Sequence, residues 1–136
     1  MKTHLEALCV VLDPLEYVTH LFAAPEVSSQ YLVLGAGSWG TGVEGVLCGP
    51  DGSLDTEVRI KAVAGTPEGV SIMLSRVRDL LSPDRAWSRL SVSGRAVQVR
   101  FERSEFVTVD IDVTITNTDR HPAVGVDSYR LVSEPI

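Results

Sequence analysis

The stretch TPEGVSIMLSRVRDLLS, residues 66–82, decides the fold, because it predicts one helix in a chain whose other patterns are typical of strands. Thr66 is a good N-cap, Pro67 suits the first helical position and Pro83 stops the helix. Apolar residues recur on one side at a spacing of 3–4: Val70, Met73, Leu74, Val77, Leu80 and Leu81. Ser75, Arg76, Arg78 and Asp79 fall on the side expected to face water. The apolar stripe needs a hydrophobic partner surface, which we expect strands to provide.

Alternating or β-branched runs on both sides of this helix predict strands. The predicted strands are residues 5–12, 16–22, 30–34, 57–64, 87–92, 95–101, 106–116 and 124–132. A tight turn at Ser93 and Gly94 joins residues 87–92 and 95–101 in a hairpin, with Val97, Val99 and Phe101 facing inward. The predicted fold class is mainly β (α+β): an antiparallel β-sandwich flanked by one α-helix at about residues 66–82.

The length and net charge of the chain argue against some classes of protein. A chain of 136 residues, 44% of them hydrophobic, is enough for one domain with a real core. A net charge of −6 argues against clamping nucleic acid by phosphate neutralisation, which needs a basic patch. No apolar run approaches the length of a transmembrane helix, so no membrane span is expected. The N-terminus is not a convincing signal peptide, because Glu6 interrupts its apolar run.

Side chains that carry chemistry are scattered along the chain. Cys9 and Cys48 lie in apolar surroundings, and we favour buried free thiols over a disulfide or a metal site. His4, His20 and His121 have no metal-ligand spacing. No G-x-S-x-G elbow is present. We therefore expect no enzymatic activity, no metal and no cofactor.

One motif resembles a nucleotide-binding turn. Residues 31–42, YLVLGAGSWGTG, contain G-x-G-x-x-G at Gly35, Gly37 and Gly40, directly after a hydrophobic strand. This is similar to the nucleotide-binding turn of glycerol-3-phosphate dehydrogenases. Asp55 follows Gly35 by about 20 residues, near the position expected for a ribose-binding acid.

The residues after this motif argue against dinucleotide binding. The fingerprint needs a helix that begins at the third glycine and holds the pyrophosphate at its N-terminus. Gly42, Gly45, Gly49 and Pro50 would break such a helix. We instead expect residues 35–45 to form a Gly-rich surface loop between subunits, with Trp39 as its anchor.

The longest predicted strand, residues 106–116 (FVTVDIDVTIT), has two unlike faces. One face is apolar: Val107, Val109, Ile111, Val113 and Ile115. The other is polar: Thr108, Asp110, Asp112, Thr114 and Thr116. Neighbouring carboxylates at Asp110 and Asp112 can share a proton or bind a cation. We favour a solvated strand face or the lining of a channel over catalysis.

Residues 57–131 resemble tail proteins of long-tailed bacteriophages. The resembling block runs from the strand EVRIKAVAGT through PEGV, which opens a short helix, to LLSPDR, which closes it. The hairpin WSRLSVSGRAVQVRF and the long alternating strand follow. The block is similar to the distal tail protein and related minor tail proteins, whose N-terminal domain shares the tail-tube fold. We expect residues 1–136 to be a single tail-tube-like domain, without the C-terminal galectin-like domain of many distal tail proteins.

The resemblance implies a structural protein rather than an enzyme. It implies a ring, commonly a hexamer, around the DNA channel at the junction of tail tube and tip. The implied partners are further copies of the chain and the neighbouring tail-tube and tail-tip or baseplate proteins, with DNA passing through unbound. The implied location is the virion, after synthesis in the cytoplasm of the bacterial host. A tail-tube subunit or another small tail-adaptor protein fits the length equally well.

Two alternatives and one site prediction accompany this interpretation. Hydroxyl and acidic side chains suit a channel that must repel DNA phosphates, so the face from Thr108 to Thr116 is expected to line the lumen. The first alternative is a stand-alone β-sandwich binding module that uses the loop at residues 35–45. The second is a nucleotide-binding enzyme that uses the same loop.

Overall fold

A computed structural model describes residues 2–27, 30–36, 47–48, 53–92 and 94–135. These residues are mainly β, with two helices, α1 (Lys2–Leu12) and α2 (Pro67–Leu81). The strands are β1 (Thr19–Leu21), β2 (Gln30–Ala36), β3 (Leu47–Cys48), β4 (Ser53–Ala64), β5 (Ser88–Val92), β6 (Arg95–Ser104), β7 (Thr108–Val109) and β8 (Ala123–Pro135). A short 3₁₀ turn follows each helix, at Asp13–Leu15 and at Pro83–Arg85.

The described strands form one curled sheet in the order β1-β2-β4-β8-β6-β5, with β3 beside β4 and β7 beside β8. β1 pairs in parallel with β2, whereas the other pairs are antiparallel. The sheet is therefore mixed, and the prediction of a purely antiparallel one is wrong. The predicted sandwich is not confirmed, because these strands belong to a single sheet. β8 lies at the centre, between β4 and β6.

Helix α2 confirms the prediction for residues 66–82. The Thr66 side chain caps it by accepting from the Gly69 amide at 3.0 Å. Its buried side chains are Val70, Met73, Leu74, Val77 and Leu81, while Leu80 lies at the edge of the stripe and is partly exposed. The stripe packs on β4 and β8. Gly125 of β8 allows the close approach, because a Cβ at this position would lie 2.7 Å from Val70 Cγ1.

The prediction of a strand at residues 5–12 is wrong, because these residues belong to α1. Leu5, Leu8 and Leu12 are fully buried, which is the 3–4 spacing of a helix, whereas Val10 is 67% exposed. Leucine and alanine also favour helix over strand. The described residues therefore contain two α-helices, whereas the sequence predicts one. α1 contacts α2, β1 and β5, so it bridges the two edge strands across the curl of the sheet.

The other predicted strands are confirmed with changed boundaries, apart from residues 106–116. Residues 30–34, 57–64, 87–92, 95–101 and 124–132 lie in or largely in β2, β4, β5, β6 and β8. Residues 16–22 shorten to the three residues of β1. Glu16 and Phe22 limit this strand, because their positive φ angles of 61° and 68° lie outside the β region. Val97, Val99 and Phe101 are buried, as predicted.

Residues 106–116 do not form the predicted longest strand; that strand is β8. Within this segment of the described chain, β7 alone pairs, and it meets β8 over two positions. The chain then turns, because the Asp112 amide donates to Asp110 Oδ1 at 3.2 Å, a local bond that competes with a strand ladder. Asn117 reverses the chain with a φ of 66°. We call residues 105–122 the arm.

Candidate functional site

The arm is held in place at its base and near its tip. At the base, the Glu105 amide donates to the Val126 carbonyl at 2.9 Å, and β7 pairs with β8. Near the tip, the Thr116 amide donates to the Val27 carbonyl at 2.8 Å. Ile115 is buried beside this tie. The surface that the arm presents is therefore preorganised, which lowers the entropy lost when it binds a partner.

Three apolar residues of the arm, all within six positions of the chain, are exposed. Phe106 is 95% exposed, Ile111 is 72% exposed and Val109 is 46% exposed. Val107, between them, instead packs against the core. Isolated exposed hydrophobic residues are normal on a protein surface. A group of them around an aromatic residue is typical of a contact surface, where aromatic side chains act as anchors.

The predicted lumen-facing residues lie on the arm but do not share one strand face. Thr108 is in β7, whereas Asp110, Asp112, Thr114 and Thr116 lie in the turns beyond it. The prediction of a strand at residues 106–116, from which we inferred a shared lumen-facing side, is wrong. The lumen position of these residues stays a prediction. In the described residues, no group of three or more histidine, cysteine, aspartate or glutamate side chains is placed to hold a metal ion. The described residues therefore add no third metal ligand of these types to Asp110 and Asp112.

A cleft of about 600 Å³ opens on the sheet face that points away from α2. Successive strand residues alternate between faces, so Val124 and Val126 point away from the helix that packs on Gly125. The apolar lining of the cleft includes Tyr31, Val33, Val124 and Val126, and its charged lining consists of Arg59, Lys61 and Glu105. Tyr31 and Val33 belong to a second, smaller apolar cluster on this face. The cleft thus combines an apolar floor with charged groups, as binding sites commonly do.

The charged groups beside the cleft are paired unevenly. Arg59 Nε lies 3.0 Å from Glu57 Oε1, which also contacts Arg103 Nη2 at 3.1 Å. Burial alone raises the pKa of Glu57, but its hydrogen bonds and the neighbouring guanidinium charges outweigh burial and lower it. In the described part of the chain, the Lys61 side chain has no hydrogen bond or ion pair. Lys61 is the cation of the cleft that remains available to a partner.

A partly buried ion pair fastens β8 to α2 next to the base of the arm. Arg78 Nη2 lies 2.8 Å from Asp127 Oδ2 and donates to Ser104 Oγ at 3.0 Å, and the Ser104 hydroxyl also bonds Asp127. The guanidinium stacks 4.3 Å above the Phe101 ring. Burial, with the nearby charge of Asp127, raises the pKa of Tyr129 far above its usual value. The helical pattern placed Arg78 in water, and no sequence signal paired it with a strand residue forty-nine positions away.

The Gly-rich loop lies largely outside the described residues. Gly35 is buried at the end of β2, whereas Gly37, Trp39 and Gly40 fall outside the described ranges. β2 pairs with β4 in antiparallel fashion, whereas a dinucleotide-binding turn needs a parallel βαβ unit. Asp55 forms a two-bond ion pair with Arg130, at 3.0 and 2.5 Å, and these hydrogen bonds lower its pKa. Its carboxylate is therefore already engaged.

The remaining titratable residues are structural in their described surroundings. Cys9 is a half-buried free thiol whose pKa is raised by burial, and the side chain of Cys48 lies outside the described part. His4 Nε2 lies 2.9 Å from Ser133 Oγ, which accepts from Arg95 Nε at 2.6 Å. This contact anchors α1 to the end of β8.

Neither helix of the described chain is long and apolar enough to cross a membrane.

Comparison with known proteins adds no assignment. The chain matches no protein family, and no curated protein matches it. A functional inference therefore has to rest on the arm, on the cleft and on the edges of the sheet.

Proposed function

We propose that this chain is a structural component of a bacteriophage tail, whose copies associate into a closed ring around the DNA channel at the tube/tip junction. The observation that supports the proposal most is the exposed apolar patch of Phe106, Val109 and Ile111. A tethered arm with an almost fully exposed aromatic residue is a poor surface for an isolated monomer, but it suits a subunit contact.

The edges of the sheet also support association. In the described residues, β1 and β5 each pair with a strand on one side. An open edge carries unpaired amide and carbonyl groups that invite another strand. Copies arranged head to tail satisfy such groups, and the arrangement closes into a ring when the rotation between copies allows it. In this proposal, the curled sheets of neighbouring copies together build a tail-tube-like β-sandwich ring. The resemblance to tail proteins implies that this ring is a hexamer.

The proposed role is mechanical and involves no enzymatic activity. The ring joins copies of the chain to neighbouring tail-tube and tail-tip or baseplate proteins in the virion. DNA passes through without specific binding, which agrees with the net charge of −6. The predicted lumen position of Asp110 and Asp112 belongs to the same proposal.

Electron microscopy and native mass spectrometry test the proposal together. We expect the purified protein at high concentration to form closed rings with a central hole and one subunit number. Phe106→Ser should lower the ring fraction, whereas Val10→Ser, which removes an exposed valine from α1, should leave it unchanged. A wild-type protein that stays monomeric at every concentration, alone and with purified tail-tip proteins, would contradict the proposal.

A stand-alone binding module is the second candidate, and the cleft beside Lys61 favours it. A binding module is expected to be a monomer with a preformed site. A monomer whose Lys61 amide signals shift on titration with small apolar carboxylates, while Phe106→Ser has no effect, would support this candidate over the ring.

A further inference from the structure

One cation that lines the cleft, Lys61, has no ion pair in the described residues. In the sheet register, Lys61 lies between Val33 and Val126, so its neighbours across both strands are apolar. Arg59 is already paired with Glu57. Glu105 lines the same cleft but forms no ion pair with Lys61 in the described part of the chain. A partner that covers this cleft must neutralise the Lys61 ammonium, because burying an unpaired charge is costly.

The arm carries a matching set of groups over a short stretch. Asp110 and Asp112 supply two carboxylates, and neither forms an ion pair in the described residues. Phe106, four residues before Asp110, and Ile111, between the two acids, supply exposed apolar surface. The cleft offers an apolar floor with an unpaired cation, and the arm offers apolar side chains with unpaired anions. The two surfaces are complementary in both polarity and charge.

We infer that the arm of one copy docks into the cleft of the next copy, with Asp110 and Asp112 facing Lys61 and with Phe106 and Ile111 covering the apolar floor. This inference rests on the proposed ring, for which it names the contact between neighbours. It also gives Asp110 and Asp112 a role at the subunit boundary, in competition with the predicted position in the lumen.

The arm of the same chain does not fill this role. Its base begins at the rim of the cleft, where Glu105 is bonded to Val126, and its far part is tied to Val27. In this tethered position Phe106 remains 95% exposed, and Lys61 has no partner in the described residues. A contact between two different surfaces of identical chains is heterologous, and such contacts generate rings or filaments rather than isolated pairs.

Charge exchange across the contact tests the inference. Lys61→Glu alone, and Asp110→Lys with Asp112→Lys, should each raise the protein concentration needed for half-assembly by about tenfold or more, because like charges then face each other. Combining all three substitutions restores opposite charges and should return assembly to within about threefold of wild type, as coupled residues do in a double-mutant cycle. Analytical ultracentrifugation across a concentration series measures this shift.

Matched reversals on α2 control for net charge. Arg76→Glu and Asp79→Lys change the charge by the same amount per residue on a surface that the contact leaves out, and assembly should change by less than about threefold. Circular dichroism identifies any variant that fails to fold, and Lys61→Gln with Asp112→Asn then replaces the reversals.

The outcomes separate the two proposals. Rings that form normally with each reversal, or a combined variant as impaired as its worst parent, would overturn the contact between arm and cleft while the ring itself stands. Wild-type protein without rings would overturn the ring and this contact together. Restoration by the combined variant supports both.

Discussion

β4 and residues 106–116 have the same kind of sequence and opposite structures. Both alternate apolar and polar residues, and both are rich in β-branched side chains. β4 is a twelve-residue strand paired with β2 and β3 on one side and with β8 on the other. In residues 106–116, pairing stops after β7, and the chain turns at Asp110.

This difference shows that alternation makes a strand only where a ladder and a packing partner are both available. The buried face of β4 lies under α2, with Val58, Ile60 and Ala62 fully buried. The arm has no such cover, and its aspartate and threonine side chains bond to nearby backbone groups instead. The same residue pattern therefore builds the core in one region and an exposed segment in the other.

The most severe test of the comparison is the ion pair between Arg78 of α2 and Asp127 of β8, which lies in the core beside the base of the arm. Asp127→Ala leaves Arg78 without its buried partner, and we expect the free energy of unfolding to fall by about 3–5 kcal/mol. Asp112→Ala, which removes an exposed acid from the arm, should change it by less than about 0.5 kcal/mol. Urea unfolding measures both. Equal effects would show that the arm and the core are not energetically distinct.

Two adjacent residues of α2 test the covered face more locally. Met73 is fully buried, and Met73→Ala should cost about 2–5 kcal/mol through lost packing and the cavity left behind. Ile72 is 58% exposed, and Ile72→Ala should be nearly neutral. Thermal denaturation of the two variants compares the faces of one helix. A destabilising Ile72→Ala would mean that the outer face of α2 is covered.

Acid should weaken the attachment of α1 to the core. Burial lowers the pKa of His4 below its ordinary value of 6.5, and the positive N-terminus and Arg95 lower it further. The unfolded chain therefore takes up a proton at a higher pH than the folded chain does. Stability is fully present above the ordinary pKa and falls as the pH drops from about 7 towards about 5, before most carboxylates titrate.

The His4→Gln variant is the control for this pH dependence. Gln can still bond Ser133 but does not titrate, so its unfolding free energy should decline less over the same pH interval. Identical slopes for wild type and variant would assign the acid sensitivity to another group.

The smallest expected effect on stability lies in the arm. Phe106→Ser should alter the free energy of unfolding by less than about 0.5 kcal/mol, because the ring has almost no contacts to lose in the monomer. The same substitution is expected to lower assembly, so the two measurements should diverge. A large loss of stability in dilute monomer would place Phe106 in the core and remove the contrast between the regions.

Sequence patterns predicted the parts of the fold that have local signals. Thr66, Pro67 and Pro83 marked the ends of α2, and the turn at Gly94 marked the hairpin of β5 and β6. The continuous apolar run of α1 predicts a strand, whereas its buried leucines follow the spacing of a helix. The parallel pairing of β1 and β2 depends on tertiary contacts that no local pattern specifies.

The candidate site was predictable only in part. The alternating acids and threonines of residues 108–116 are visible in the sequence. Their position in turns is not, because it follows from the lack, in the described residues, of a strand with which the segment beyond β7 could pair. The cleft joins residues of β2, β4 and β8, which approach one another only in the folded sheet. Glu57, the acid nearest to Lys61 on β4, is engaged by Arg59 and also by Arg103, and the contact with Arg103 joins two strands that sequence spacing does not bring together.

The central position of β8 has a consequence for how the chain folds. β4 and β6 do not pair with each other, so before β8 arrives the sheet exists as two separate pieces, one built around β4 and the other the hairpin of β5 and β6. Residues 123–135 join them through pairings that span long stretches of chain. Because β8 comes last among these strands in the chain, we expect the sheet to be completed on the ribosome only after this segment has emerged. Until then the two pieces expose apolar faces, and the nascent chain is at its most vulnerable to aggregation.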